Sequence, residues 1–586
     1  MMKNFFYTTI KGLAILVIIG CWGCQDEDSF LDKKVSASLN EQIVFADSAY
    51  TMDYLTAIYE GLYFWYNTGS SATATNGSWS EITDECETKW PGGHNVPNQV
   101  FDGTFGEPFY NRIAKLWSHF YTRIRQCNIY LENVNEESPL SNALKARTKA
   151  EIRFLRAYHY FLLMEGWGGV PLVGDTIYSL SSPNLQVRNS WAECVDYIVS
   201  ELDAVAPMLP VRYTGRDYGR ITRGACMALK SRVLLFAASP LYNGGSPAEE
   251  PALKELTGYP SHDETRWLKA LQAAQDVVNL GVYELKTDNA TRPGNGFYEL
   301  FLERVSDEII LARMQGPNKQ VERNHLPRSR GGNFLRYPTQ ELVDAFPMMN
   351  GLSIESPGSG YDPEDPYKNR DPRFYYTVIY NGASYFKRTS NQMEPVWTYK
   401  GASQDGLKPV TANTGTSTGY YSRKMMDERV TGDGSATTDR NHPVLFRYGG
   451  ILLNLAEAAV ETGDIPLAME QLIALRRRAG IDPGADNRYG LPADPSQEEA
   501  RQLVRNERFI ELAFEMQRFW DLKRWKAGDW LDGAMMHGMQ ITKKGDEFSY
   551  QRIETRHRYF KDNLYYFPIP PDELAVNLGL IQNLGW

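Results

Sequence analysis

The chain has 586 residues, with 62 Lys plus Arg against 72 Asp plus Glu and a net charge of -10. Phosphate backbones are held by clustered basic side chains, so this balance excludes a nucleic-acid partner. Thirteen Trp and 35 Tyr supply many amphipathic rings, which suit carbohydrate faces as well as protein cores.

Residues 1–20 read as a secretory signal. Lys3 leads an apolar run from Gly12 to Gly20 that is shorter than the roughly 20 residues needed to span a bilayer. The run ends in Ile18-Ile19-Gly20-Cys21, and a cysteine at that end resembles a bacterial lipobox. The expected mature chain begins at a lipidated cysteine, and several acyl chains make such an anchor stable. Cys21 is preferred because Ile18 lies three residues before it. Cys24 is the alternative, since Asp26-Glu27-Asp28 after it resembles a lipoprotein surface-export signal. Loss of Lys3 and Lys11 with the signal leaves 60 basic against 72 acidic residues, a charge of -12. Residues 21–40 form the acylated tether.

Residues 41–280 carry helical spacing. The series Ala46-Tyr50-Tyr54-Ile58-Leu62, Trp117-Tyr121-Ile124-Ile129 and Ile152-Leu155-Tyr158-Leu162 each place apolar side chains on one face. Further helices are predicted over 191–209, 223–241 and 264–280, and a short apolar strand at Leu172-Val173 after the Gly168-Gly169 turn. A loop insert, 67–106, interrupts this block. Cys86, Cys127, Cys194 and Cys226 match no zinc spacing and are expected to be small buried hydrophobes.

Residues 281–440 lose the periodicity and form a long irregular insert, the kind of segment that carries function on a rigid scaffold. Helical pattern returns over 441–586. The runs 446–461 and 465–478 make a helical hairpin of tetratricopeptide type, with Gly463 placed for a left-handed cap, and 497–514 predicts a last helix. Paired helices of this kind stack into a platform.

Few motifs carry chemistry. Gly415-Thr416-Ser417-Thr418-Gly419 has the letters of a nucleophile elbow but neither the strand before nor the helix after it, so it reads as a loop. Asp84, Glu85 and Glu87 group three carboxylates. Glycoside hydrolysis needs two carboxylates facing each other across about 5–9.5 Å, which near neighbours rarely do, so a solvated acidic loop is favoured. Asp362, Glu364 and Asp365 are interrupted by Pro363 and read as an exposed turn rather than a calcium loop. The eight histidines include no pair one helical turn apart, and no metal or cofactor is expected.

Longer strings are more specific. Phe30-Leu31-Asp32, Arg156-Ala157-Tyr158 before Gly169-Val170-Pro171, Asp371-Pro372-Arg373, Ala456-Glu457-Ala458, Arg505-Asn506-Glu507-Arg508 and Phe567-Pro568-Ile569-Pro570 follow one another across the chain. In this order they closely resemble the SusD/RagB family of surface glycan-binding lipoproteins of Bacteroidetes. The resemblance implies a mostly α, SusD-like fold, with tetratricopeptide-like hairpins forming a platform, a large loop-rich insert and few short strands. It implies that most motif residues are structural, so Arg505, Glu507, Arg508, Glu511 and Glu515 are expected to form an ion-paired helix surface.

It also implies a lipid-anchored, non-enzymatic lid on the extracellular face of the outer membrane. The lid would capture an oligosaccharide or polysaccharide and pass it to a SusC-like TonB-dependent transporter. A peptide-importing RagB-like lid and a surface glycoside hydrolase using Asp84 to Glu87 are the alternatives. Stiff rings that stack on sugar C–H faces, with polar neighbours for the hydroxyls, are sought in the irregular segments. Trp79, Trp90, Asn95, Arg330, Trp397 and Tyr399 are the candidate glycan-binding residues.

Overall fold

The computed structural model describes residues 40–62, 79–88, 96–179, 186–409, 412, 414–438 and 443–586. The signal, Cys21, Cys24, Trp90 and Asn95 lie outside the described residues.

Nine longer helices form the frame: α1 Ser48–Glu60, α2 Glu107–Asn133, α3 Asn142–Trp167, α4 Trp191–Val205, α5 Arg223–Ala238, α6 Thr265–Asn279, α7 Tyr448–Glu461, α8 Ile465–Ala479 and α9 Gln497–Glu511. Their starts are set by side chains that satisfy otherwise unpaired amides. Ser190 with Glu193 and Ser496 with Glu499 make reciprocal capping boxes on α4 and α9. Between α7 and α8, Gly463 takes φ +84, the left-handed conformation expected of it. Successive helices pack in pairs, α2 on α3, α5 on α6 and α7 on α8, while α6 and α9 also cover α7. This is the mostly α platform of paired helices that the resemblance implies.

The predicted strand at Leu172-Val173 is absent. Gly168, at φ +82, ends α3, and the backbone N–H of Gly169 bonds Leu256 instead of a sheet partner.

Ten strands form five two-stranded antiparallel sheets among the described residues. They are β1 Cys86–Thr88, β2 Ile309–Ala312, β3 Arg336–Pro338, β4 Val378–Ile379, β5 Ala383–Lys387, β6 Gln392–Val396, β7 Tyr421–Ser422, β8 Val444–Arg447, β9 Met535–Lys544 and β10 Glu547–His557. β2 pairs with β8, so the insert leaves and re-enters the frame side by side. The β9–β10 hairpin, of 10 and 11 residues, is a departure from the helical pattern expected of 441–586.

The insert is fastened by a buried ionic network rather than by the surface ion pairs expected. Glu511, fully buried, accepts from Arg447 at 2.7 Å and Arg373 at 2.9 Å, and also pairs with Arg478. Glu507 pairs with Arg373 at 2.7 Å and Arg476 at 3.0 Å, and Glu515 with Arg447 and Lys424, both at 2.7 Å. Asp371 holds Arg373 at 2.7 Å, and Glu308 accepts from Arg447 and Arg478. α9 is thus tied to the insert at Arg373, and to β8 and α8 at Arg447, Arg476 and Arg478, by charges that have no water to turn to.

Other motif residues are structural too. Glu457 accepts from Arg524 and from the Trp525 indole at 2.7 Å, and Arg508 from α9 pairs with Asp521. Arg505 lies instead with its guanidinium 4.7 Å from the Trp525 ring. Phe567-Pro568 straps the end of α3, with Phe567 N–H donating to Gly166 and the Trp167 indole donating to Pro568. The four cysteines of the body are free and buried.

Candidate functional site

The loop after β6 leaves Trp397 and Tyr399 on one side and the buried Thr398 on the other, as extended alternation requires. Asn381 fixes the pair, its side-chain oxygen accepting from the amides of Thr398 at 3.0 Å and Tyr399 at 3.2 Å. The amide of Lys400 donates to Ile541 of β9 at 2.8 Å, which lays this loop along the hairpin. Ile541 and Met539 bury one hairpin face in a second core with Leu342, Phe346, Phe374, Ile510 and Phe514.

On that same hairpin face, Phe548 completes an aromatic patch. Its ring stacks on Trp397 at 5.6 Å and 21° and lies 5.9 Å from Tyr399, while Trp397 and Tyr399 are 6.1 Å apart. Trp397 remains 39% exposed, and Met393, within β6, is exposed as well. Lys543, directly across from Phe548, holds its ammonium 5.7 to 6.0 Å from all three ring centroids. Lys400 also lines a cleft of about 320 Å3 on the opposite hairpin face, where Gln540 sits, with Glu87, Lys408, Glu554 and Arg556 on its walls. The arrangement offers flat apolar faces flanked by hydrogen-bond donors, which is what a pyranose presents in complement.

The structure brings Trp397 and Tyr399 together and buries the other described candidates, Trp79 and Arg330. Trp79 is buried, its ring stacked on Phe567 at 4.8 Å and Phe519 at 5.3 Å, with Arg112 over it at 5.1 Å. It offers no face to a sugar; an indole this apolar is worth more to the core than to a loop.

Arg330 is also buried. It braces the β5–β6 hairpin by donating to Glu394 at 2.8 Å and to Pro395 and Tyr385, with a further bond to Ser329. Its guanidinium is spent on backbone carbonyls rather than ligand hydroxyls. Phe548 was absent from the sequence candidates; the signal for it was the alternation Phe548-Tyr550-Arg552 just beyond Gly545.

The acidic trio does not form the solvated loop expected. Asp84 pairs with Arg518 at 2.6 Å and Glu87 with Arg558 at 3.1 Å. Glu85 accepts the Phe514 amide at 2.7 Å, and burial pushes its carboxyl up to about 7. All three are buried and ion-paired or hydrogen-bonded at the β1 junction. Asp362, in an exposed turn, accepts the amide of Glu364. A larger cleft of about 540 Å3 lies between α4, α5 and α6, but the one ring lining it, Tyr259, is already covered by Arg266 at 3.6 Å.

A profile described as the SusD family matches residues 307–586, and another, described as starch-binding and associating with the outer membrane, matches 29–235. The chain belongs to the SusD family. A SusD-like protein, P2, from Formosa agariphila is 21% identical over 99% of each chain. The starch-binding protein SusD of Bacteroides thetaiotaomicron is 29% identical over 30% of each. A crystal structure of a SusD-like protein from Bacteroides fragilis superposes with a TM-score of 0.73 at 25% identity, covering 94% of this chain and 99% of that one. Among the described residues no helix is long and apolar enough to cross a membrane.

Proposed function

We propose that this protein is a cell-surface lipoprotein that captures oligosaccharide or polysaccharide without altering it. In this reading it is held to the outer membrane by acyl chains on Cys21 or Cys24, and it delivers the glycan to a SusC-like TonB-dependent transporter. The observation that carries the reading is the exposed Trp397–Tyr399–Phe548 patch on a rigid hairpin, in a chain of the SusD family. The buried pairing of Asp84, Glu85 and Glu87 argues against the hydrolase alternative.

Affinity electrophoresis of the protein through gels containing individual polysaccharides tests capture. Retardation by at least one glycan is expected, and Trp397→Ala is expected to cost about 2 kcal/mol, roughly 30-fold in affinity, the scale of a central aromatic anchor. Retardation by none, or an unchanged Trp397→Ala protein, overturns the assignment. Co-purification of a barrel transporter from solubilised outer membranes tests delivery, and loss of fatty-acid labelling in Cys21→Ser tests the anchor.

A further inference from the structure

The patch carries a charge that its family membership does not explain. The chain is acidic overall, yet the charged side chain that reaches the three rings is a lysine, Lys543. Among the described residues, the Lys543 ammonium has no carboxylate within ion-pairing distance.

The nearby acids are turned away. Asp405 is buried against Ser329, and Glu394 is paired with Lys387 at 2.8 Å. Glu547 sits across from Lys544, on the hairpin face opposite Phe548 and Lys543, because successive strand side chains alternate. An exposed ammonium centred on three rings is both a cation–π partner and an open counter-charge.

Resting on the proposed glycan-binding role, we infer that the Trp397–Tyr399–Phe548 patch takes an acidic saccharide. The pyranose stacks on Trp397, while an anionic substituent, a uronate carboxylate or a sulfate ester, pairs with Lys543. A neutral glucan would leave this counter-charge unused. Positive charge beside a stacking surface gives selectivity and a salt-dependent affinity.

The full mature lipoprotein in detergent is titrated with two matched pairs: oligogalacturonate and its carboxyl-reduced form, and a sulfated galactan and its desulfated form. The acidic member of at least one pair is expected to bind more tightly, with affinity falling as salt rises. The pair that discriminates identifies carboxylate or sulfate as the anion. Lys543→Gln is expected to weaken the acidic member alone, roughly two- to fivefold, the size of one exposed ion pair, and to flatten the salt dependence. Lys543→Arg is expected to keep both.

Equal binding of neutral and acidic members, or an unchanged Lys543→Gln protein, overturns the inference and leaves glycan capture standing. If no saccharide, charged or neutral, binds in a Trp397-dependent way, the glycan-binding role itself falls and the inference with it. Lys543 is exposed, so its variants are expected to melt with the wild type.

Discussion

Replacing Glu511 by Gln tests whether the buried network holds the insert to the helical frame. The substitution keeps the shape of the side chain and removes one negative charge from the midst of Arg373, Arg447 and Arg478. Breaking a buried ion pair from one side costs about 3–5 kcal/mol, because the remaining charges stay buried without compensation. That is a large share of the roughly 5–15 kcal/mol by which folded proteins are stable. For a chain of 586 residues, an unfolding entropy of about 2.1 cal/mol/K per residue makes 1 kcal/mol equal to about 0.8 °C, so calorimetry at neutral pH should show a fall of about 2.5–4 °C.

The pH dependence sharpens the test. Burial alone would raise the Glu511 carboxyl, but Arg478, Arg447 and Arg373 together hold it well below the ordinary carboxylate range. A folded pKa below the unfolded one contributes stability that is present above about pH 4.5 and lost as pH falls toward the folded value. The gap between wild type and variant should therefore close on acidification. An unchanged melting temperature at neutral pH, or a gap that persists in acid, would refute the assignment of the network as the fastening.

Trp79→Ala should destabilise by about 3–5 kcal/mol through the cavity left between Phe519 and Phe567, yet leave the glycan affinity of the folded protein intact, separating core ring from binding ring in one binding and melting experiment. Asn381→Ala should weaken glycan retardation in gels by freeing the Thr398 and Tyr399 amides, and should lower the urea midpoint by the equivalent of about 1–3 kcal/mol because the Thr398 amide is buried. Burial pushes the Lys523 ammonium down to about 7, with Glu165 opposing only in part. The unfolded chain then binds more protons between about pH 7 and pH 10.5, so stability should climb across that window by up to about 1.4 kcal/mol per unit, a slope that Lys523→Met should flatten in denaturation series. Alkylation followed by mass spectrometry should modify Cys86, Cys127, Cys194 and Cys226 only in denaturant, since all four thiols are buried.

The helical frame was legible because burial on one face writes a 3.6-residue period, as in α6 and α8, whose ends fall within two residues of expectation. The insert was legible only as lost periodicity: its short strands pair across long separations, β1 with β3 and β2 with β8, and nothing local announces the partner. Trp397 and Tyr399 could be picked as rings in an irregular stretch, but Phe548 lies about 150 positions further on and joins them only through tertiary pairing. Trp79 and Arg330 misled for a related reason. An aromatic or cationic residue in a segment without periodicity can be an anchor into the core, and burial is not written in its neighbours.

The β9–β10 hairpin pairs strand to strand through the register from Lys544–Glu547 to Gly538–Ile553, with the Ile541 carbonyl also accepting from Lys400. Side chains at positions such as 543 and 548 can be exchanged without unpicking the helices beneath, so under the proposed role a handful of substitutions there shifts affinity from one glycan to another. Grafting this short ribbon between relatives is then a way to transfer that preference while leaving the rest of the molecule alone.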